Sequence, residues 1–307
     1  MTPTTKGALW IVGGTSLIAL SDNFVTGIAR DIGLWQFHAT RSAMVVPVAV
    51  AFAILTGQGR SLRPASVPHV LLRSLFGTLG LMMYFAALPA VGIAQTAAGF
   101  FTAPVWVALI SAAFFGERVG PRRIAGSLVG FAGVCLVLGV GAQPVQPMAL
   151  VAVAGAIFWA LNVIWVRRFC DAESAVCLAV WQFMVLLTAG LVGLGLAPWL
   201  AAAFAGVPGA EFATTGWRSV GLATIGAVFL IGLAGISATG CMAQGYKMGP
   251  ASVMGLFDFS FLVWAPFFAW LVWGQVLDLR TAAGMTLIAL AGALALWSGA
   301  RTEVSTR

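Results

Sequence analysis

The sequence predicts an all-α integral membrane protein with ten transmembrane helices, arranged as two inverted five-helix repeats. Its composition, its long apolar stretches and a weak internal repeat support this fold class. Of the 307 residues, 61% are hydrophobic and 8% are charged, and the mean hydropathy is +1.00. A typical soluble domain carries about 25% charged residues, so this chain has too few charges to cover a soluble globule. The composition excludes an ordinary soluble enzyme and a disordered chain.

Ten stretches are long and apolar enough to cross a bilayer, which takes about 20 residues of helix. Short segments with Gly, Pro and charged residues separate most of them, as expected for turns. The longest connection, near residues 198–218, follows the seventh stretch. The ten stretches lie near residues 7–28, 34–56, 68–88, 91–114, 122–140, 148–166, 174–197, 219–243, 250–273 and 281–299.

The distribution of Lys and Arg predicts the orientation, because cytoplasmic loops of membrane proteins carry an excess of both. With a cytoplasmic N-terminus, 12 of the 16 cations fall on the cytoplasmic side and 3 on the other. We therefore expect a multi-pass protein of the cell inner membrane with both termini in the cytoplasm. The cytoplasmic cations are Lys6, Arg60, Arg63, Arg73, Arg118, Arg122, Arg123, Arg167, Arg168, Lys247, Arg301 and Arg307, and the other three are Arg30, Arg218 and Arg280.

Two blocks in the first half of the chain resemble blocks in the second half. Residues 14–41 align with 155–182 at an offset of 141, and residues 84–133 align with 242–291 at an offset of 158. The identities are few. They include Gly14 with Gly155, Ala19 with Ala160, Phe101 with Phe259, Trp106 with Trp264, and Gly126 with Gly284.

The repeat divides the chain into two predicted domains, residues 1–142 with spans one to five and residues 143–307 with spans six to ten. Because five spans are an odd number, the second copy enters the membrane from the opposite side. Inverted five-span repeats are an architecture of secondary transporters, with the substrate site near the midplane between the repeats.

Short motifs along the chain resemble the drug/metabolite transporter superfamily, specifically its ten-span exporters with two tandem EamA domains. The resemblance covers nearly the whole chain and implies export or exchange of small metabolites, commonly amino acids. The aromatic amino-acid exporters are the nearest model. The motifs are Asn23-Phe24, Arg41, Ala86-Ala87-Leu88-Pro89, Ala97 with Pro104, Phe115-Gly116-Glu117-Arg118 and Phe158-Trp159-Ala160-Leu161.

The chain also departs from that pattern. Ser21 and Asp22 lie where the family often has a Trp before Asn-Phe, and Ala103 precedes Pro104 where some aromatic amino-acid exporters have Trp. These departures leave the particular substrate open.

Pro104 and Pro266 are predicted hinges, because they interrupt spans four and nine, which correspond in the two halves. A proline removes a backbone hydrogen bond and kinks a helix. Interrupted helices at matching positions point to a transporter site. The alternative is that both prolines only shape helix packing.

Three ionisable residues are predicted to lie inside the membrane, where a charge costs about 2.5–3.5 kcal/mol on insertion scales and needs a reason. Asp22 and Arg41 lie at similar depth on adjacent helices and are predicted to pair. The pair is either a static lock of the first hairpin or exchanges partners and receives a charged substrate group. Asp258 is a candidate for proton coupling; alternatively it is a neutral acid bonded to a neighbour, or it pairs with Arg73.

Polar and aromatic residues near the midplane are the predicted substrate site. Trp159 and Asn162 share one face of span six, because they are three residues apart. By resemblance, Trp159 lies where the aromatic amino-acid exporters have a tryptophan in the site. For each aromatic residue the alternative is packing or lipid contact. The predicted substrate-binding residues are Asn23, Tyr84, Phe101, Trp106, Trp159, Asn162, Phe257 and Trp264.

The function predicted from these features is a secondary transporter that exports or exchanges small metabolites, most of all amino acids, by alternating access around a midplane cavity. One alternative is a multidrug or nucleotide-sugar carrier of the same superfamily. A second alternative, from a different functional class, is an integral-membrane enzyme or a structural subunit. Catalytic motifs, metal-ligand spacings and nucleotide-binding motifs do not occur in the sequence. We expect no enzymatic activity, no cofactor and no metal. The expected partners are the lipid bilayer and a small-molecule substrate, without nucleic acid, in a monomer or homodimer.

Overall fold

The computed structural model describes residues 2–28, 31–116, 121–139, 149–205, 211–274 and 278–291, and every regular element in these ranges is helical. The predicted domain boundary at residue 142 and the end of the tenth span near residue 299 lie outside the described residues. The principal helices are α1 (Pro3–Ile28), α2 (Leu34–Leu55), α3 (Val67–Phe100), α4 (Ala103–Phe115), α5 (Pro121–Leu138), α6 (Ala149–Phe169), α7 (Ala175–Ala203), α8 (Leu222–Lys247), α9 (Phe261–Trp273) and α10 (Leu279–Ala291).

These helices confirm the predicted fold class. Within the described residues, seven segments are long and apolar enough to cross a membrane: Leu34–Leu55, Val67–Ala87, Thr96–Phe115, Ala149–Phe169, Ala175–Ala203, Leu222–Lys247 and Gly255–Trp273. Two shorter apolar helices, Ala125–Leu138 and Leu279–Ala291, accompany them. The 26 residues of α1 are also long enough, at about 1.5 Å per residue. Large apolar side chains on the outer surface, such as Leu55 and Phe114, are exposed as lipid contact requires.

The connection between the predicted third and fourth spans differs from expectation. Every residue from Val67 to Phe100 has helical conformation, and Phe101 and Thr102 separate this segment from α4. The segment is not one straight helix, because the rings of Tyr84 and Phe100 are 5.1 Å apart, whereas 16 residues of straight helix would span about 24 Å. The first part of α3 and the segment that leads into α4 therefore run as two separate spans.

The end of the seventh span also differs from expectation. Helix α7 continues through Pro198 to Ala203, so the long connection starts later than predicted. This connection contains a short helix, Glu211–Thr214, before α8 begins. A proline is tolerated inside a membrane helix when its neighbours satisfy the freed backbone groups.

The first helix of each half packs on helices of the other half, and the second helices of the two halves pack on each other. Helix α1 packs on α8 and α9, and its counterpart α6 packs on α3 and α4, while α2 packs on its counterpart α7. This pattern is expected for two repeats related by a pseudo-two-fold axis in the membrane plane. The inverted arrangement therefore determines which helices meet in the centre of the molecule.

Small residues permit the closest of these crossings, as they do in other membrane bundles. A Cβ atom on Gly14 of α1 would lie 3.0 Å from the carbonyl oxygen of Ala238 in α8. A Cβ atom on Gly155 of α6 would lie 2.9 Å from the carbonyl oxygen of Gly80 in α3. The repeat offsets carry Gly14 to Gly155 and Gly80 to Ala238, so these are equivalent contacts in the two halves.

Hydrogen bonds tie the two halves together at each end of the bundle. We call the end with Arg60, Arg63, Arg167, Arg168 and Lys247 the basic end. There the buried carboxylate of Glu173 accepts hydrogen bonds from the backbone nitrogens of Ala65 (3.0 Å) and Ser66 (2.9 Å), next to the start of α3.

At the opposite end, the side chain of Gln36 holds the backbone of Arg218. Its Nε2 donates to the carbonyl oxygen of Arg218 at 2.6 Å, and its Oε1 accepts from the Arg218 nitrogen at 2.9 Å. Each end of the molecule thus has a link between a loop of one half and a loop or helix start of the other half.

Candidate functional site

A cavity of about 150 Å³ lies in the centre of the bundle, between helices of both halves. Its walls include repeat-equivalent positions, related by the same offsets of 141 and 158 residues. The cavity therefore lies on the pseudo-two-fold axis. The equivalent pairs in its lining are Ile18 with Trp159, Arg41 with Gln182, Arg73 with Ile231, Leu81 with Thr239, Tyr84 with Met242, Phe100 with Asp258, and Ala103 with Phe261.

Asp22 of α1 and Arg41 of α2 form one polar region of the cavity, which we call the Arg41 pole. Arg41 is 8% exposed, and its guanidinium carbon lies 4.9 Å from the ring centre of Phe37 and 5.3 Å from that of Phe183. These are cation–π contacts. The Nε atom of Arg41 has no hydrogen-bond partner among the described residues.

Asp22 and Arg41 line the same cavity, as the prediction of a paired site requires, but their charged atoms are not within 4.0 Å of each other. Among the described residues, the ion pair within 4.0 Å is Arg167 with Asp171, at 3.8 Å. The predicted direct ion pair of Asp22 with Arg41 is therefore not formed in this conformation.

Asp258 forms a second polar region, the Asp258 pole, in the 3₁₀ segment Gly255–Ser260 that precedes α9. The hydroxyl of Tyr246 donates to its carboxylate at 2.5 Å from each oxygen, and the indole nitrogen of Trp159 donates at 3.4 Å. Arg73 also lines the cavity, but its guanidinium donates to the carbonyl oxygen of Leu178 at 2.8 Å. Asp258 is thus a buried acid held by two neutral donors.

Aromatic rings form the walls between the two poles. Phe100 lies 5.1 Å from Tyr84 and 5.8 Å from Trp159, measured between ring centres. Phe101 and Phe261 stack at 5.5 Å with an angle of 27° between their planes. Rings at these separations make favourable aromatic contacts, and they present flat apolar surfaces to anything inside the cavity.

The structure brings together about half of the site residues predicted from the sequence. The predicted residues that line the cavity are Asp22, Arg41, Tyr84, Phe101, Pro104, Trp159 and Asp258. Pro104 lies in the first turn of α4, where a proline starts a helix without breaking a bond, and not in the middle of a continuous helix as predicted. Its hinge role stays a prediction.

The other predicted residues lie outside the cavity lining. Asn23 donates to the carbonyl oxygens of Ala19 (2.8 Å) and Ala265 (3.3 Å), and so joins α1 to α9. Trp106 donates to the hydroxyl of Thr102, and Trp264 stacks on Phe268.

Three more predicted residues, Asn162, Phe257 and Pro266, also do not line the cavity. Asn162 is buried, and its Oδ1 has no hydrogen-bond partner among the described residues. Phe257 is buried next to Asp258, and Pro266 lies inside α9. The sequence gives the depth of each residue in the membrane, whereas the side of the helix that faces the cavity depends on packing.

The predicted set of substrate-binding and coupling residues leaves out several residues that belong to the site. They include Arg73, Gln182, Phe183 and Tyr246. Gln182 and Tyr246 nevertheless count among the polar residues that the sequence places near the midplane, and Arg73 is a possible partner of Asp258. Two signals were available: Gln182 is the repeat counterpart of Arg41, and Tyr246 is one of only two tyrosines in the chain. The described residues contain no group of three or more His, Cys, Asp and Glu side chains that could hold a metal ion.

Two stretches of the chain, residues 5–139 and 146–297, match the EamA-like transporter family, and the chain belongs to this family. This assignment confirms the resemblance to the drug/metabolite transporter superfamily. The chain is therefore a membrane transporter and not an enzyme.

Three bacterial transporters resemble the chain over different shares of its length. It is 25% identical over 288 residues to a riboflavin transporter of Vibrio cholerae, covering 93% of this chain and 91% of the relative. It is 33% identical over 174 residues to a riboflavin transporter of Rhizobium johnstonii, covering 57% and 55%. It is 31% identical over 143 residues to the aromatic amino acid exporter YddG of Ancylobacter novellus, covering 43% and 50%.

A solved crystal structure shares the fold of the whole chain. It aligns with 97% of this chain and 99% of its own, with a TM-score of 0.72 and 23% sequence identity.

Proposed function

We propose that this member of the EamA-like transporter family moves a small metabolite with a planar aromatic ring through the central cavity. The observation that carries the proposal is the cavity on the pseudo-two-fold axis, with aromatic walls between two polar regions. Flat apolar walls stack on an aromatic ring, and buried polar groups at either side fix its orientation.

Riboflavin is the first candidate substrate. Its isoalloxazine ring is planar and has two faces for walls such as Tyr84, Phe100 and Trp159, and its hydroxylated side chain has groups for the polar regions. A cavity of about 150 Å³ holds a molecule of about the size of benzene, so the bundle must open further to admit riboflavin. The similarity to a riboflavin transporter over nearly the full length of both chains supports this candidate.

An aromatic amino acid, exported or exchanged, is the second candidate, as expected from the sequence. One observation favours it: an acidic and a basic residue, Asp22 and Arg41, both line the cavity. In their charged forms these two side chains match the ammonium and carboxylate groups of an amino acid.

We propose alternating access as the mechanism, with the two ends of the bundle opening in turn. The Glu173 link at the basic end and the Gln36 link at the opposite end join the two halves. Opening an end requires that its link break. By the positive-inside rule, the basic end faces the cytoplasm of the cell inner membrane, with both termini on that side and with a monomer or homodimer as the functional unit.

We also propose that Asp258 carries a proton during transport. A charged carboxylate is costly inside a membrane, and the groups that hydrogen-bond to it, Tyr246 and Trp159, are neutral. Since Trp159 also lines the cavity, a substrate that contacts its ring affects a hydrogen bond to Asp258. Proton binding and substrate binding are then linked.

Purified protein in proteoliposomes tests the substrate directly. Flux would be measured for riboflavin, tryptophan, phenylalanine, a nucleotide sugar and a cationic drug. We expect saturable riboflavin flux that unlabelled riboflavin inhibits, with none in protein-free liposomes. Saturable flux of tryptophan alone would replace the first candidate by the second, and the absence of flux for every compound would contradict the proposed function.

A further inference from the structure

Arg41 and Gln182 occupy repeat-equivalent positions in the cavity wall, but only Gln182 forms side-chain hydrogen bonds to a neighbouring helix. The Nε2 atom of Gln182 donates to the carbonyl oxygen of Ser74 at 3.2 Å and to the hydroxyl of Thr78 at 3.0 Å, both in α3. The guanidinium of Arg41 instead lies over two rings, Phe37 and Phe183. The donors of Arg41 are therefore available to a molecule in the cavity.

Burying a guanidinium without a direct ion pair is unfavourable in free energy, because the charge loses its hydration and gains too few hydrogen-bond partners in return. The nearby rings compensate only in part, since a cation–π contact supplies no hydrogen-bond acceptor. Asp22 lines the same cavity from the adjacent helix and is not in contact with Arg41 among the described residues. A ligand that placed both an acceptor and a donor between these two side chains would satisfy both charges.

We propose that the Arg41 pole binds the carbonyl–imide edge of the planar ring of the substrate, with Arg41 donating to a ring carbonyl and Asp22 accepting from the ring N–H. This inference rests on the proposed function and specifies how its first candidate is recognised. In riboflavin, two carbonyl groups flank an N–H on one edge of the isoalloxazine ring. These carbonyl and N–H groups lie in the plane of the isoalloxazine ring. The edge can therefore bind Arg41 and Asp22 while the two faces of the ring stack on the aromatic walls.

The same edge contacts explain the asymmetry between the halves. An amide at position 182 joins α7 to α3, whereas an arginine at position 41 keeps its donors for the ligand. A charged donor and a charged acceptor discriminate strongly against a ring that lacks the matching edge, because the buried groups then remain unpaired.

The test uses riboflavin and 3-methylriboflavin, in which a methyl group replaces the proton of the imide N–H. Binding to the purified protein in detergent would be followed by quenching of flavin fluorescence. We expect the methyl group to weaken binding to the wild-type protein by about 10- to 100-fold, the range for a hydrogen bond to a charged group. With Asp22→Ala, which removes the acceptor and makes room, the two flavins should bind within about threefold of each other.

Two further variants complete the test. Arg41→Gln copies the residue type of the equivalent position and should weaken riboflavin binding about 10-fold or more. Arg60→Gln, which removes an exposed charge at the basic end, is the matched control and should bind as the wild type does. Size-exclusion and thermal-unfolding profiles identify variants that fail to fold, and the comparison of two flavins on the wild-type protein needs no variant.

Equal binding of both flavins to the wild-type protein, or the same loss on methylation in Asp22→Ala as in the wild type, would overturn the edge assignment and leave riboflavin transport standing. No binding of riboflavin to the wild-type protein would overturn both the assignment and the first candidate substrate.

Discussion

The two halves of the cavity share a backbone arrangement and differ in chemistry. The crossing of Gly14 with Ala238 repeats the crossing of Gly155 with Gly80, so close backbone approach is common to both halves. At the cavity wall the equivalent positions differ: Phe100 in one half corresponds to Asp258 in the other. Helix packing thus follows the repeat, whereas the chemistry of the cavity wall differs between the halves.

The shared crossings should give the largest effect. Gly155→Leu places a side chain where even a Cβ atom would lie 2.9 Å from the Gly80 carbonyl oxygen. Two helix backbones must then separate, and overpacking of this kind costs upward of about 1–3 kcal/mol. We expect loss of most of the monodisperse protein on size exclusion in detergent.

The control for this change is Gly226→Leu in α8, whose Cβ atom would meet nothing within 4 Å. It should give protein with a wild-type elution profile. Normal yield and elution of Gly155→Leu would show that the repeated crossing is not needed for assembly.

A change at a cavity position where the two halves differ should affect transport and not assembly. Asp258→Asn keeps the shape of the side chain and removes its ability to take up and release a proton. We expect riboflavin flux driven by an imposed pH gradient to fall about 10-fold or more, while exchange without a gradient continues, if Asp258 is the coupling group. The measurement is initial flux in proteoliposomes with and without the gradient.

The matched control is Asp171→Asn, because Asp171 lies at the surface and pairs with Arg167. Its flux should respond to the gradient as in the wild type. An undiminished response of Asp258→Asn would remove Asp258 from proton coupling.

The two tryptophans singled out in the sequence sharpen the comparison further. Trp159 lines the cavity and lies 5.8 Å from Phe100, whereas Trp106 is outside the lining and bonds to Thr102. Trp159→Ala should raise the KM for the substrate about 10-fold, in line with the loss of an aromatic contact and buried area. Trp106→Ala should change KM less than about twofold. Equal effects of the two changes on KM would mean that the described cavity is not the binding site.

The links at the two ends should give the smallest change. Glu173→Gln weakens the hydrogen bonds to Ala65 and Ser66, because a neutral oxygen accepts less strongly than a carboxylate and one oxygen is replaced by a donor. We expect a Tm lower by a few degrees and faster opening of the basic end, seen as faster reaction of the buried Cys177 with a thiol reagent. Unchanged Tm and labelling would show that this link does not hold the end closed.

The sequence was sufficient for the fold class because a membrane restricts spans to a length and an apolar composition. It also singled out Asp22, Arg41 and Asp258, which line the cavity, since charge inside a membrane is rare enough to stand out. It could not separate Trp159 from Trp106 by depth alone, because both lie within a membrane span and only the rotation of the helix distinguishes them. The pairing of Asp258 with Tyr246 was also beyond it, because that contact depends on how α8 meets the 3₁₀ segment before α9.

Pro104 illustrates a different limit. Its position within an apolar stretch predicted a kink, but the chain already breaks at Phe101 and Thr102, so the proline begins α4. Hydropathy does not reveal where a helix is interrupted, since the residues on both sides of the break are equally apolar.

Riboflavin flux in proteoliposomes that contain the wild-type protein, Trp159→Ala or Arg41→Gln tests the central claim most directly, namely that substrate passes through the cavity between the two halves. We predict saturable flux for the wild-type protein, a strongly raised KM for both variants, and normal elution of all three proteins on size exclusion. Wild-type flux and KM in both variants would contradict the claim, because a substrate that used this cavity would meet both side chains.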